Sequence, residues 1–399
     1  MASGGEVLME LEHIREVVGA GEAAPAEGRD RDRLVADLAA ERPRQRGRPP
    51  GAGEELARDA HRPAGARPWP PHPRRGIVGG MKLLDLSSSA ARQALATGAP
   101  VFLPVNPVEY HGPHLPLHTD GLIAAGLIRD LHAALARRRN GWPLLVAADL
   151  EVGCEVVPGP GSRPVPYADV CAVVGRAAGA LADLGARRVV LMTFHGSPLH
   201  NLALSRAVRL LEGRGVRAVA PFNLILRRMI AGDTELLAEL GAGGAAAVVD
   251  VLEELHAGMF ETSLVLHYAP DAVHPGYVDL PPCPSPTPVA PLAAAARAAR
   301  ALGRRELAAE LDFAARGLGW FALRPFPAYT GRPAAASAAA GSALARRIVG
   351  EGAPVVLDVL EGRVPAPPPV MTWVAGLSLG GRVGSPRVPP EAVAVRTLG

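Results

Sequence analysis

The sequence predicts an α/β fold in three layers, αβα, with a mainly parallel central sheet, and two observations lead there. From Met81 onward, strand-like apolar runs alternate with longer stretches of helical period, the pattern of parallel strands joined by helices that cover both faces. Chemistry-bearing residues also fall where such sheets place their ligands, beyond the carboxyl ends of strands. Glu109 and His111 follow one strand-like run and His195 ends another. There is no internal repeat.

Residues 1–80 are a different kind of sequence. They run through Glu41-Arg42-Pro43-Arg44-Gln45-Arg46-Gly47-Arg48-Pro49-Pro50 and Pro68-Trp69-Pro70-Pro71-His72-Pro73-Arg74-Arg75, with apolar content confined to short stretches near Val7–Val18 and Leu34–Leu38. Such a segment buries too little surface to offset its ordering entropy, so a disordered extension is expected. Interspersed Glu and Asp make it a solvated tail rather than a nucleic-acid arm, and it lacks the apolar core of a secretory signal. Met81 is a candidate alternative start. Residues 81–399 form the expected folded domain.

Within that domain, strands are expected over Val101–Val105, Pro143–Leu150, Arg188–Thr193, Arg217–Pro221 and Pro354–Val359. Helices are expected over Thr119–Arg137, Tyr167–Leu184, Leu199–Gly213, Ala245–Glu254, Pro291–Ala315 and Ala335–Val349. The alanine-rich Ala293–Ala301 carries high intrinsic helix propensity. Pro-rich Leu280–Pro288 and Val364–Val370 read as surface connections. The loop Val157-Pro158-Gly159-Pro160-Gly161-Ser162 lacks the Lys-Ser/Thr of a phosphate cradle.

Composition fits an intracellular enzyme. The chain has 399 residues, 48% of them apolar, enough for a large core. Its cysteines, Cys154, Cys171 and Cys283, show neither C-x-x-C spacing nor an even number, so reduced thiols and a cytoplasmic home are expected. No apolar stretch of about twenty residues escapes charge or proline, which argues against a membrane span. A net charge of +3, carried almost wholly by Arg with Lys82 the sole Lys, does not describe a nucleic-acid surface.

The chemistry concentrates in Glu109-Tyr110-His111-Gly112-Pro113-His114-Leu115-Pro116-Leu117-His118-Thr119-Asp120, directly after Val101–Val105. Imidazole nitrogen and carboxylate oxygen are ligands common to zinc, manganese and iron, and a carboxylate can bridge two ions. Glu109 and His111 are two apart, so in an extended stretch both side chains leave one face. Thr119 or Asp120 is expected at the N-cap of the next helix, where backbone N–H groups favour a carboxylate. Capping alone requires no histidine, so the cluster reads as a metal site.

With its preceding strand, EYHGPHLPLHTD resembles the signature of the creatininase family of metal-dependent amidohydrolases. Further motifs follow in that family's order: Arg188–Gly196, ending in His-Gly; His256-Ala257-Gly258-Met259-Phe260-Glu261-Thr262-Ser263, similar to HAG-x-x-ETS; and Gly331 through Pro333, Ala336, Ser337 and Gly341, similar to G-x-P-x-x-A-S-x-x-x-G. The resemblance spans residues 81–350 and implies a creatininase-like fold and a centre of two divalent ions, Zn, Mn or Fe. It implies that Asp120 bridges them, with Glu109 and His195 on one ion and His111 on the other. Creatinine-hydrolysing members place a glutamate two residues after the second-strand histidine, where this chain has Ser197, so Glu261 becomes the candidate replacement ligand. His256 and Glu261 are the expected catalytic residues, His256 as proton shuttle to the leaving amine. The usual N-G-H-G-G-N reads Thr193-Phe194-His195-Gly196-Ser197-Pro198 here, with Asn201 following, and Pro198 has no N–H to offer a substrate.

The function so implied is hydrolysis of a C–N amide bond in a small cyclic or linear amide, by water activated between two ions. The open alternatives are a peptide-maturation peptidase of the same family and a non-catalytic metal-binding or structural subunit, the latter motivated by Ser197 and Pro198. Expected partners are a small-molecule amide substrate and further copies of the chain, a hexamer by resemblance, with no nucleic acid and no membrane. Ser197 and Ser263 read as turn or helix-start residues rather than nucleophiles. His114 reads as a support behind the ligands and His118 as solvent-exposed; Tyr110, Trp142, Phe194 and Trp320 are candidate pocket walls.

Overall fold

In a computed structural model of the chain, residues 80–139, 141–233, 254, 256–383, 388–394 and 398 are described. The extension expected over residues 1–80, Gly80 excepted, lies outside them, as does the helix expected over Ala245–Glu254 apart from Glu254. In chain order the elements are β1 (Met81–Lys82), α1 (Ser88–Ala96), β2 (Val101–Asn106), α2 (Thr119–Arg138), β3 (Leu145–Val146), β4 (Leu150–Glu151), α3 (Tyr167–Leu184), β5 (Arg188–Met192), α4 (Pro198–Glu212) and β6 (Arg217–Val219). They continue with α5 (Phe222–Ile230), α6 (Met259–Tyr268), α7 (Ala290–Ala301), α8 (Arg305–Phe321), α9 (Ala338–Leu360) and α10 (Trp373–Leu377).

The strands form one parallel sheet in the order β1-β3-β2-β5-β6, with β4 also beside β2. Side chains of alternate residues leave opposite faces of a strand, and the core divides accordingly. Val101, Leu103, Val105, Val189, Leu191, Leu145 and Ala218 pack with α1, α3 and α4. Phe102, Val190, Met192, Val146 and Val219 pack with α2, α5, α6 and α9. All six residues of β2 are therefore buried, as expected of a parallel sheet covered on both faces. This is the three-layer αβα architecture that the alternation predicts.

The departures from the sequence reading have local causes. Pro143–Leu150 yields two short strands, because Val101 and Phe102 pair with Leu145 and Val146 while Val105 pairs with Leu150. One extra residue is accommodated between those contacts, as in a bulge. Pro291–Ala315 is broken by Leu302, Gly303 and Arg304, with Gly303 at φ 75°, into the antiparallel pair α7 and α8. Pro354–Val359 is not a strand but the last part of α9, which carries Pro354 inside it and buries Val356, Leu357, Val359 and Leu360. A short apolar run does not distinguish a buried strand from a buried helix by periodicity. Thr119 and Asp120 are the first two residues of α2, not its cap, which is His118.

Two helix junctions fix the frame around the site. Ser197 caps α4, accepting a hydrogen bond from His200 N–H, with Pro198 at the first helical position. Ser337 caps α9 through Ala340 N–H, and its own N–H donates to Ser263 Oγ of α6. Ser263 thus lies inside α6 rather than at its start. Gly341 lets α9 approach α6: a Cβ there would stand 1.8 Å from the Ser263 carbonyl oxygen. A helix backbone cannot yield by that much, so Gly341→Ala is expected to cost about 1–3 kcal/mol. The check is a lower urea midpoint at unchanged slope; an unchanged midpoint would contradict the close packing.

Candidate metal centre

The site is assembled at the carboxyl ends of β2 and β5 and the first turns of α2 and α6. Glu109 and His111 come from the segment after β2, His195 from the segment after β5, Asp120 from α2 and Glu261 from α6. Glu109, His111 and Asp120 are at most 1% exposed, and His195, Glu261 and His256 are buried with them. The structure therefore brings all six sequence-predicted residues together, although they span more than 150 positions of chain.

Asp120 stands between the two halves of the cluster. Its Oδ1 lies 3.4 Å from His111 Nε2, and its Oδ2 lies 3.7 Å from His195 Nδ1. His195 Nδ1 also lies 2.9 Å from Glu109 Oε2, and His111 Nε2 lies 3.6 Å from Glu261 Oε2. Each imidazole has its other nitrogen on a backbone carbonyl: His111 Nδ1 is 3.0 Å from Glu109 O, and His195 Nε2 is 3.0 Å from Cys154 O. That arrangement turns His111 Nε2 and His195 Nδ1 inward, as metal-ligating histidines are oriented.

The inward atoms fit a cation. Glu109 Oε2, His111 Nε2 and both Asp120 oxygens are buried without a hydrogen-bond partner, a condition that is costly for charged groups unless something satisfies them. Three groups of side chains have ligand atoms within 4.8 Å of one another: Glu109, Asp120 and His195; His111, Asp120 and Glu261; and Glu109, His111 and His256. The donor set of imidazole and carboxylate suits Zn, Mn or Fe.

In the metal-free protein, protons stand in for positive charge. Burial opposes the His111 imidazolium, but Asp120, Glu261 and Glu109 push its pKa up to about 10. Burial likewise opposes His195, which Glu109 and Asp120 raise to about 9. Burial raises Glu261 to about 8, with the His111 charge opposing and Asp120 assisting. Glu109 goes the other way: burial would raise it, but His195, His256 and His111 hold it far below the usual carboxylate range. Burial and the adjacent His111 charge take His256 down to about 3.

His256 lies against the cluster, its ring centroid 4.3 Å from that of His111 and 5.7 Å from Trp320. Its Nε2 is 2.9 Å from the Tyr110 carbonyl, which fixes that nitrogen as the N–H in the neutral ring and leaves Nδ1 to take up or give a proton. Ala257, next in sequence, adopts φ 49° and donates its N–H to Glu261 Oε2 at 2.7 Å.

A family model described as "Creatininase: Creatinine amidohydrolase" matches residues 84–356. The chain belongs to the creatininase family. Curated relatives similar to it include two called "Mycofactocin precursor peptide peptidase". The one from Mycobacterium ulcerans (strain Agy99) is 30% identical over 197 residues, 47% of this chain and 66% of that protein. The one from Mycolicibacterium smegmatis (strain ATCC 700084 / mc(2)155) is 30% identical over 192 residues, 47% and 65%. The chain thus spans just under two thirds of their length. Among solved structures, "Creatininase Mn" is 22% identical, with a TM-score of 0.46 and coverage of 70% of this chain and 98% of that one. A putative creatinine amidohydrolase from Bacteroides fragilis NCTC 9343 is 19% identical, with a TM-score of 0.46 and coverage of 71% and 97%.

Other residues singled out in the sequence are placed less as expected. His114 does support the site, with Nε2 2.9 Å from Thr262 Oγ1, beside Glu261. His118 is not solvent-exposed; it is half-buried, and its ring lies over Gly121 in the first turn of α2. Trp320 and Tyr110 adjoin His256, but Phe194 is core, packed on Phe222 and Phe260. Trp142 sits under Arg188 at the start of β5, the far end of the sheet from the site. The loop from Val157 to Ser162 does reach the site: Val157 N–H donates to Glu109 Oε1 at 2.5 Å, and Ser162 Oγ accepts from Tyr110 N–H at 2.9 Å. Glu155, His200 and Asn106 escape the sequence reading. Asn106 Oδ1 accepts from Phe194 N–H, and His200 lies edge-on to His195, with Nε2 3.2 Å from both Thr193 Oγ1 and Val105 O. Only their positions beside recognised motifs could have singled them out. Among the described residues, no helix is long and apolar enough to cross a membrane.

Proposed function

We propose that the chain is a metal-dependent amidohydrolase that cleaves a C–N amide bond in a small cyclic or linear amide, using two divalent ions. The observation that carries this reading is Asp120, whose two oxygens face different histidines and lack hydrogen-bond partners. Glu109, Asp120 and His195 would hold one ion, and His111, Asp120 and Glu261 the other. Bound there, the ions supply Lewis acidity toward a carbonyl and make water a usable nucleophile near neutral pH. Glu109, Asp120 and Glu261 would offset three of the four positive charges of two such ions, leaving the remainder to favour a developing oxyanion. His256 Nδ1, bare in the neutral ring, would take up the proton released by the attacking water and pass it to the departing nitrogen, because an unprotonated amide anion is a poor leaving group. Both serines have structural roles: Ser197 Oγ donates to Glu155, and Ser263 Oγ accepts from Ser337 N–H.

A second reading, cleavage of a short peptide in a maturation step, is favoured by what these curated relatives are called. One experiment tests both and the non-catalytic alternative: metal content per chain for the wild type and Glu261→Gln, paired with release of amine from cyclic amides, linear amides and short peptides. Two ions falling to one, with amine release, supports the hydrolase, and the substrate that turns over selects between the readings. Two ions without turnover of any substrate favours a binding protein, and one ion or none contradicts the paired site.

Loading has a pH signature. His111, His195 and Glu261 are raised to about 10, 9 and 8, so at pH 7 the metal-free site holds protons that a cation must displace. Metal affinity is therefore expected to rise with pH until those groups have deprotonated. Titration calorimetry at pH 7 in buffers of different ionisation enthalpy is expected to show proton release; proton uptake would contradict the ligand set.

A further inference from the structure

The segment Cys154–Val157 touches both protein ligands on one side of Asp120. The Cys154 carbonyl lies 3.0 Å from His195 Nε2, and the Val157 N–H donates to Glu109 Oε1 at 2.5 Å. Between them, Glu155 takes φ 55°, the left-handed region that an L side chain other than Asn or Asp seldom occupies. Its carboxylate is anchored across the site: Oε2 accepts from Ser197 Oγ at 2.5 Å and from Leu199 N–H at 2.9 Å. Those donors are the N-cap and the second residue of α4, two and four positions after His195.

Capping of α4 explains only part of this. Ser197 already caps the helix through His200 N–H, and a second acceptor at the same end does not require a strained backbone. Strain of this kind persists where the surroundings over-determine it, often beside a functional site. Here the left-handed residue turns the chain so that a carbonyl meets one ligand and an N–H meets another, while its side chain pins the turn to the segment bearing His195. Among the described residues outside the ligand set, Cys154–Val157 is the segment that hydrogen-bonds the side chains of both Glu109 and His195.

We propose that Glu155 is a positioning residue: by locking the Cys154–Val157 strap in its left-handed turn, it aims His195 Nδ1 and Glu109 Oε2 at a common cation. The metal consequence rests on the reading above, whereas the orientation of His195 does not. Orienting partners behind metal ligands typically carry ten- to a hundredfold in affinity. Glu155→Gly removes the anchor and also the side chain that makes φ 55° costly, so the fold is not expected to suffer. Glu155→Gln keeps an acceptor oxygen of the same reach and is expected to rescue in part.

Two measurements test this on the full chain. In 15N-histidine NMR of the metal-free protein, wild type is expected to show a slowly exchanging His195 Nε2 proton held by the Cys154 carbonyl, lost in Glu155→Gly and retained in Glu155→Gln. Cobalt titration followed by visible absorption is expected to show one ion of the two weakened about ten- to a hundredfold in Glu155→Gly, the other unchanged and thermal stability maintained. A retained proton in Glu155→Gly, equal weakening of both ions, or weakening that merely follows a loss of stability would overturn the proposal. Should the wild type bind fewer than two cobalt ions, the paired-ion reading fails, and the NMR comparison still decides the role of Glu155.

Discussion

Asp120→Ala is expected to lose both ions at once. Its two oxygens face the two halves of the cluster, 3.4 Å from His111 Nε2 and 3.7 Å from His195 Nδ1, so each half retains two of its three side chains. Removing an anion that lies between two cations also raises their mutual repulsion, which in a buried site is only weakly screened. Elemental analysis should fall from two ions per chain to none, and turnover by more than about 10³-fold, beyond the loss of a single electrostatic contact. Asp120→Asn preserves shape while removing the charge, and is expected to give the same result if the bridge is electrostatic. A mutant that keeps two ions would contradict the bridging role.

His256→Ala is expected to separate turnover from metal content. The ring contacts His111, Tyr110 and Trp320 but takes no part in the two groups that share Asp120. Both ions should therefore remain, while kcat falls by about 10²–10⁴, the usual range for a lost general acid. KM should change little, since proton delivery is required in the transition state and not for binding. Exogenous imidazole would restore part of the rate in the space left behind. Full activity in the mutant would remove His256 from the mechanism, and loss of an ion would make it a ligand.

Much of this was legible in the sequence because the informative residues are close together or end recognisable elements. Glu109, His111 and Asp120 lie within one segment, and His195 ends an apolar run that could only be a strand or a buried helix. The sheet followed from alternation, and the helix expected over Tyr167–Leu184 is α3 with those bounds, closed by Gly185 at φ 108°. What escaped were relations set by tertiary contact. No local pattern distinguishes the buried run after Pro354 from a strand until α9 is seen packed on β6 and α6. Glu155 escaped for a similar reason: its role depends on Ser197 and Leu199, more than 40 positions away, and on a backbone conformation that side-chain identity does not announce. The Gly341 contact with Ser263 explains why a motif remote from the ligands accompanies them, for it seats the helix that carries Glu261.

The most direct test is anomalous diffraction from crystals of zinc- or manganese-loaded protein. Two peaks are expected, one on each side of the Asp120 carboxylate: the first among Glu109, Asp120 and His195, the second among His111, Asp120 and Glu261. A single peak, or ions bound away from Asp120, would contradict the paired centre and the hydrolytic chemistry built on it.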